Sequence, residues 1–226
     1  MTDIFLRAWN WCCRFRHRCG YGVHSPSDFF LITYVIYERL PYYAYVRLRE
    51  LRKGMEHLPH YREKVDKLLL RLVNHLRPSL LLEFGTGSGI NTRYLAAGSQ
   101  QMDIITSTQN CQEEVRRFLS DNPRIRYCEG NIEELSKAWK EADTSSVVVH
   151  IAHTPHYQEI FEQLLPLVGE KTCFLIGSPY ADEAKKNWWK SVVADERTGV
   201  TFDLYDIGLV FFDKGRVKEH RVVNFL

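Results

Sequence analysis

The chain of 226 residues has no apolar run of the roughly 18 residues that a membrane span needs, and its start lacks the basic-then-apolar order of a signal peptide. A soluble, cytoplasmic protein is expected. Internal repeats and low-complexity stretches are also lacking, which excludes a repeat architecture. Charge of one sign is missing too: 30 Lys and Arg against 28 Asp and Glu leave a formal charge of +2, too near balance to imply nucleic acid as a partner. The six cysteines (Cys12, Cys13, Cys19, Cys111, Cys128 and Cys173) complete no familiar zinc spacing, although Cys12, Cys13 and Cys19 lie close together. A chain of this size needs no disulfide staples, so free thiols are expected.

What is present is an interior. Apolar residues make up 45% and aromatic ones 13%, ample for one packed core with an appended segment. Composition changes near Pro78, from charged helix-forming stretches to short β-branched runs separated by helices. The expected division is a helical extension or cap over 1–77 and an α/β domain over 78–226. In the first part, Ser25 and Pro26 introduce a helix over 29–37. A second helix over 61–76 places Val65, Leu68, Leu69, Leu72 and Leu76 on one face.

In the second part the runs 80–84, 104–107, 125–128, 147–151 and 172–176 read as buried strands alternating with helices. Such alternation predicts a parallel sheet with right-handed crossovers and a ligand crevice at the carboxyl ends of its strands. The runs 200–205 and 207–213 are separated only by the Asp206 region, which predicts an antiparallel hairpin at the sheet edge.

The stretch Leu-Leu-Leu-Glu-Phe-Gly-Thr-Gly-Ser-Gly from Leu80 to Gly89 carries a buried strand into three glycines and then a helix over 90–97. Glycine suits a sharp turn on which a nucleotide-like ligand rests closely. A dinucleotide loop, G-x-G-x-x-G, would demand glycine where Ile90 stands, which argues against a nicotinamide-dependent oxidoreductase. Glu83-Phe84-Gly85-Thr86-Gly87-Ser88-Gly89 instead resembles the first motif, [D/E]-x-G-x-G-x-G, of the class I S-adenosylmethionine-dependent methyltransferases. The resemblance continues to the terminal hairpin and covers about two thirds of the chain. Upstream, Gly22-Val23-His24-Ser25-Pro26 with Phe29 resembles an extension found in bacterial methyltransferase-like proteins of unassigned substrate.

The resemblance implies a doubly wound, mostly parallel seven-stranded sheet with a C-terminal antiparallel hairpin, and S-adenosylmethionine as cofactor. It assigns the methionine part of the cofactor to Glu83, Gly85 and Gly87, with the acidic side chain organising the loop, and counts Thr86 and Gly89 of the same loop as cofactor-binding. Gln109 stands where the family has an acid for the ribose, and a neutral acceptor is weaker than a charged one by about 1 kcal/mol or more. Asn131 matches the residue that meets the adenine amino group, and it also suits a helix N-cap.

Metal-dependent members of the family carry an aspartate after the fourth strand, but Val147-Val148-Val149-His150-Ile151-Ala152-His153 has none, and Gly177-Ser178-Pro179-Tyr180 adds no acid. No catalytic magnesium is expected. His150, His153 and His156 straddle a strand end and Pro155, which disfavours a shared zinc ion. His153 and His156 are the candidates for a general base at the crevice mouth, and a solvated surface histidine is the other reading of each.

Phe5, Leu6, Trp9, Trp11 and Phe15 alternate with Arg7, Arg14, Arg16 and Arg18, a pattern of interfacial helices on anionic membranes. The favoured alternative docks the tryptophans on the domain or on a second subunit, as in a homodimer, with the arginines in solvent. In either case the segment is expected to border the acceptor pocket. Two functions follow from these residues. One is a metal-independent S-adenosylmethionine-dependent methyltransferase acting on an oxygen or nitrogen of a small molecule. The other is a catalytically degenerate relative that serves as a cofactor-binding or protein-interaction module.

Overall fold

Three five-residue runs, 80–84, 147–151 and 173–177, are buried at every position and mostly apolar, and they form the centre of a sheet covered on both faces. The computed structural model describes residues 4–226 apart from Asn131, Asp143 and Ser145. Its strands are β1 (Leu80–Phe84), β2 (Asp103–Thr108), β3 (Ile125–Glu129), β4 (Val147–Ile151), β5 (Cys173–Gly177), β6 (Thr201–Asp203), β7 (Ile207–Phe211) and β8 (His220–Val222). They lie in the order β3-β2-β1-β4-β5-β7-β6-β8. Pairing is parallel from β3 through β5, and β7 runs antiparallel to both β5 and β6.

The expected hairpin is present, but the sheet has eight strands rather than seven. The added strand, β8, pairs in parallel with β6, so the hairpin does not form the edge. Three residues reading His-Arg-Val have too little periodicity to announce a strand. Its position comes from contacts outside itself, among them Thr201 Oγ1 with His220 Nδ1 at 2.8 Å and Val223 N–H to the Asp203 carbonyl at 2.8 Å.

The helices are α1 (Ile4–Cys13), α2 (Pro26–Phe30), α3 (Ala44–Lys53), α4 (Glu63–Leu76), α5 (Ile90–Gly98), α6 (Glu113–Ser120), α7 (Ile132–Glu141), α8 (Tyr157–Leu164) and α9 (Glu183–Ala194). Alternate residues of the strands feed two cores. Leu81, Ile104, Val148 and Leu175 pack with α4, α5 and α6, whereas Leu82, Val149, Phe174 and Ile176 pack with α7, α8 and α9. Val65, Leu68, Leu69 and Leu72 of α4 are buried as their spacing predicts, and Leu76 is half-buried at the end. The helix stops at Arg77, in the left-handed region at φ 48°, because Pro78 cannot continue it. Ser25 caps α2 through the Asp28 N–H, and the helix then widens into π-helical turns over Leu31–Ile36.

Helix α1 faces the opposite way to the favoured expectation for docking on the domain. Arg7 pairs with Asp206 through two 2.7 Å hydrogen bonds, and Arg14 reaches Asp203 at 2.8 Å and the Tyr180 hydroxyl at 3.1 Å. Phe5 (82% exposed) and Trp9 (69%) point to solvent. Asp203, buried at the end of β6, and half-buried Asp206 in the loop that follows attract the guanidinium groups inward, and the apolar side chains are left outside. Among the described residues no helix is long and apolar enough to cross a membrane.

Candidate functional site

At the carboxyl end of β1 the chain turns through Gly85, Gly87 and Gly89, with φ of 87°, 57° and 75°, a region that L side chains rarely adopt. The turn is pinned to both neighbouring strands: Gly85 N–H donates to the Ser107 carbonyl at 2.7 Å, and the Gly85 carbonyl accepts from His153 N–H at 3.2 Å. These bonds extend the parallel ladders past the strand ends and hold the loops after β1, β2 and β4 together.

Behind the loop lies Glu83, with no exposed surface. It sits in register with His150 of β4 and Thr106 of β2. His150 Nδ1–H donates to Glu83 Oε1 at 2.9 Å, which leaves Nε2 to accept from the Tyr61 hydroxyl at 3.2 Å. The other carboxylate oxygen accepts from Thr106 Oγ1 at 2.7 Å and from Thr92 Oγ1 of α5. Thr106 has a single hydroxyl proton and gives it to Glu83, so Thr86 donates to Thr106 across 2.7 Å. A carboxylate withdrawn from water needs such partners, and here the protein supplies them all.

In front of the loop sits a plug made by the segment before α4 and by His153, two residues past the end of β4. The Pro59 carbonyl accepts from Ser88 N–H at 2.9 Å, and the Tyr61 ring packs on His153 with centroids 4.6 Å apart. Arg52 of α3 holds this segment by binding both the Tyr61 carbonyl and the buried Asp66. A Cβ on Gly87 would meet Pro59 O at 2.6 Å and His153 Cδ2 at 2.7 Å, and one on Gly177 would lie 1.7 Å from the Tyr61 hydroxyl. The bare glycines therefore make room for side chains of the protein itself. Burial, followed by the neighbouring His150, pushes the His153 pKa down to about 4, so the imidazole is neutral at physiological pH. Its Nε2 lies 3.1 Å from the side-chain amide of Asn91.

Beside the plug, at the carboxyl ends of β1, β2 and β3, opens a crevice of about 540 Å³. Its position at the β1/β4 switch of strand order is where open α/β sheets bind ligands, and its volume is that of a small-molecule site. Phe84, Ile132, Pro155 and Ile160 line it with apolar surface, and Ser107, Gln109 and Gln163 supply polar groups. Gly130 keeps its floor low, since a Cβ there would strike Gln109 Cγ at 2.7 Å.

The sequence-derived candidates thus divide. Gly85, Gln109, His153 and His156 line the crevice, whereas Glu83, Thr86, Gly87 and Gly89 do not. Asn131 lies outside the described residues. His156 is exposed and 3.7 Å from Glu159. Among the described residues no group of three His, Cys, Asp or Glu is arranged to hold a metal ion. Sequence reasoning missed Tyr61 and the role of His150. A signal for His150 existed: Leu-Leu-Leu-Glu-Phe and Val-Val-Val-His-Ile each carry one ionisable residue at the fourth position of a buried strand, and adjacent parallel strands bring the two together.

No protein-family model matches this sequence, and no curated protein is significantly similar to it. Solved structures do match, and the fold is that of the class I S-adenosylmethionine-dependent methyltransferases. An O-methyltransferase from Bacillus cereus in complex with SAH is 18% identical, with a TM-score of 0.58 over 79% of this chain and 95% of that one. SAH-bound Podospora anserina methyltransferase PaMTH1 is 11% identical, with a TM-score of 0.58 over 84% and 96%. The O-methyltransferase TomG from Streptomyces achromogenes, involved in tomaymycin synthesis and solved with SAM, is 15% identical, with a TM-score of 0.56 over 76% and 91%. At these identities the likeness establishes the fold.

The residues present fit one half of such a cofactor. The crevice at Gln109 and Gly130 suits the adenosine part, while the path over Gly87 is filled by Pro59 and His153.

Proposed function

We propose that this chain binds S-adenosylmethionine by its adenosine part in the crevice and works as a methyltransferase on an oxygen or nitrogen of a small molecule, without a metal ion. The observation that carries this reading is the crevice at the β1/β4 switch point, lined by Gln109, whose amide can accept from ribose hydroxyls, and by apolar Phe84, Ile132 and Ile160. Alignment of donor and acceptor can supply much of the catalysis in such a transfer, so a side-chain base is not a requirement. The test is incubation of the protein with methyl-labelled S-adenosylmethionine and a small-molecule extract, with and without a chelator. Label transfer that survives the chelator supports the reading; no transfer under either condition overturns it.

A second reading has one observation in its favour, the plug that covers the glycine loop. On this reading the chain is a catalytically degenerate module that binds ligand without transferring a methyl group. Calorimetric binding of adenosine compounds together with no label transfer would decide for it.

A further inference from the structure

We infer that the crevice selects adenosine-type nucleosides whose 5′ substituent is short and uncharged, in preference to ligands carrying a full amino-acid tail. The inference rests on the second reading, a crevice that takes adenosine compounds without methyl transfer, because S-adenosylmethionine itself carries the tail that is excluded here.

Geometry supplies the first argument. A tail leaving the 5′ position would run from the crevice over Gly85 and Gly87, the route that His153 occupies. The His153 backbone stands 2.5 Å from where a Cβ on Gly85 would be, and its ring stands 2.7 Å from that position on Gly87. The imidazole is no free rotor: Asn91 meets its Nε2 at 3.1 Å and Tyr61 packs on its face. Tyr61 is in turn held by Arg52 and His150. The hydrogen-bonding groups that a tail would seek are already engaged, with Ser88 N–H given to Pro59 O and the Gly85 carbonyl taken by His153 N–H. A charged amino-acid group would have to displace these bonds and find no replacement partner.

Electrostatics supplies the second. Among the described residues lining the crevice there is no Lys or Arg, and Glu133 and Glu159 are its carboxylates. An incoming phosphate or carboxylate meets no Lys or Arg among these lining residues, whereas a neutral nucleoside needs none. Adenosine and 5′-methylthioadenosine satisfy both conditions. AMP fails the second, and S-adenosylhomocysteine carries the long zwitterionic tail that the first excludes.

The experiment is calorimetric titration of the full chain with adenosine, 5′-methylthioadenosine, AMP and S-adenosylhomocysteine, repeated on His153→Ser and Asn91→Ala with circular dichroism to verify folding. In the wild type the two short nucleosides should bind at least about tenfold more tightly than AMP or S-adenosylhomocysteine. In His153→Ser the affinity for S-adenosylhomocysteine relative to that for adenosine should rise about tenfold, and Asn91→Ala should give a smaller rise in the same direction. S-adenosylhomocysteine binding as tightly as adenosine in the wild type would overturn the inference and leave the adenosine site standing. A failure of both variants to gain affinity for S-adenosylhomocysteine would overturn it in the same way. Binding of none of the four would overturn the adenosine reading itself, and the inference with it.

Discussion

The two sides of the glycine loop make opposite use of the same fold. On the β2 and β3 side, Gln109 and Gly130 border an open crevice with polar groups facing solvent. Around Gly87, by contrast, Glu83, His150, Tyr61 and His153 are locked together, and the positive-φ glycines accommodate protein rather than empty space. A motif is therefore evidence for a turn before it is evidence for a ligand. Side chains brought from 61 and 153 decide which of the two the turn serves.

That contrast is open to attack by substitution, and the largest effect is expected at the sealed side. Glu83→Ala would leave His150, Thr106 and Thr92 with buried donors unpaired, at a cost of about 3–5 kcal/mol measured by urea unfolding. Adenosine affinity should hold in whatever fraction stays folded, because Glu83 does not line the crevice. A loss below about 1 kcal/mol would show that the network does not hold the loop.

Titration sharpens the comparison next. His153 is held down to about 4, below the ordinary histidine value, so between about pH 6.5 and pH 4 the unfolded chain binds more protons than the folded one. Stability should consequently fall as pH drops through that window, by about 1–3 kcal/mol, and His153→Phe should flatten this part of the profile. An unchanged slope in the variant would remove His153 from the explanation.

The smallest effect on stability is expected on the open side. Gly130→Ala puts a Cβ at φ 60° beside Gln109, a strain of about 1–2 kcal/mol, partly relieved because Gln109 is a flexible chain at the crevice wall. Its main consequence should be weaker adenosine binding. If stability falls further than for Glu83→Ala, the distinction between a structural and a ligand-facing side collapses.

Much of this arrangement is legible in the chain itself. The strands 80–84 and 147–151 match their apolar runs to the residue, since strands buried on both faces need no alternation and announce themselves by composition. Helix α4 shows in its 3.6-residue spacing and in Pro78 beyond its end. Helix α3 and β8 are not legible, the first because its charged sequence buries little more than Leu48 and Arg52, the second because it borrows its position from β6. The orientation of α1 departs from the expectation of tryptophans docked on the domain for a related reason. Its own sequence favours burying aromatic residues, but Asp203 and Asp206, some two hundred residues away, take its arginines.

The sequence by itself determined the strands β1 to β5, the glycine turn and the position of a crevice at the strands' carboxyl ends, because each follows from local burial, backbone sterics and the handedness of crossovers. Tertiary structure alone decided that Glu83 faces inward to His150, that Tyr61 and His153 close over Gly87, and that only the Gln109 side stays open. The physical reason is that Glu83 and His150 are 67 positions apart and Tyr61 and His153 are 92, joined by strand register and packing across the sheet, which no local pattern encodes.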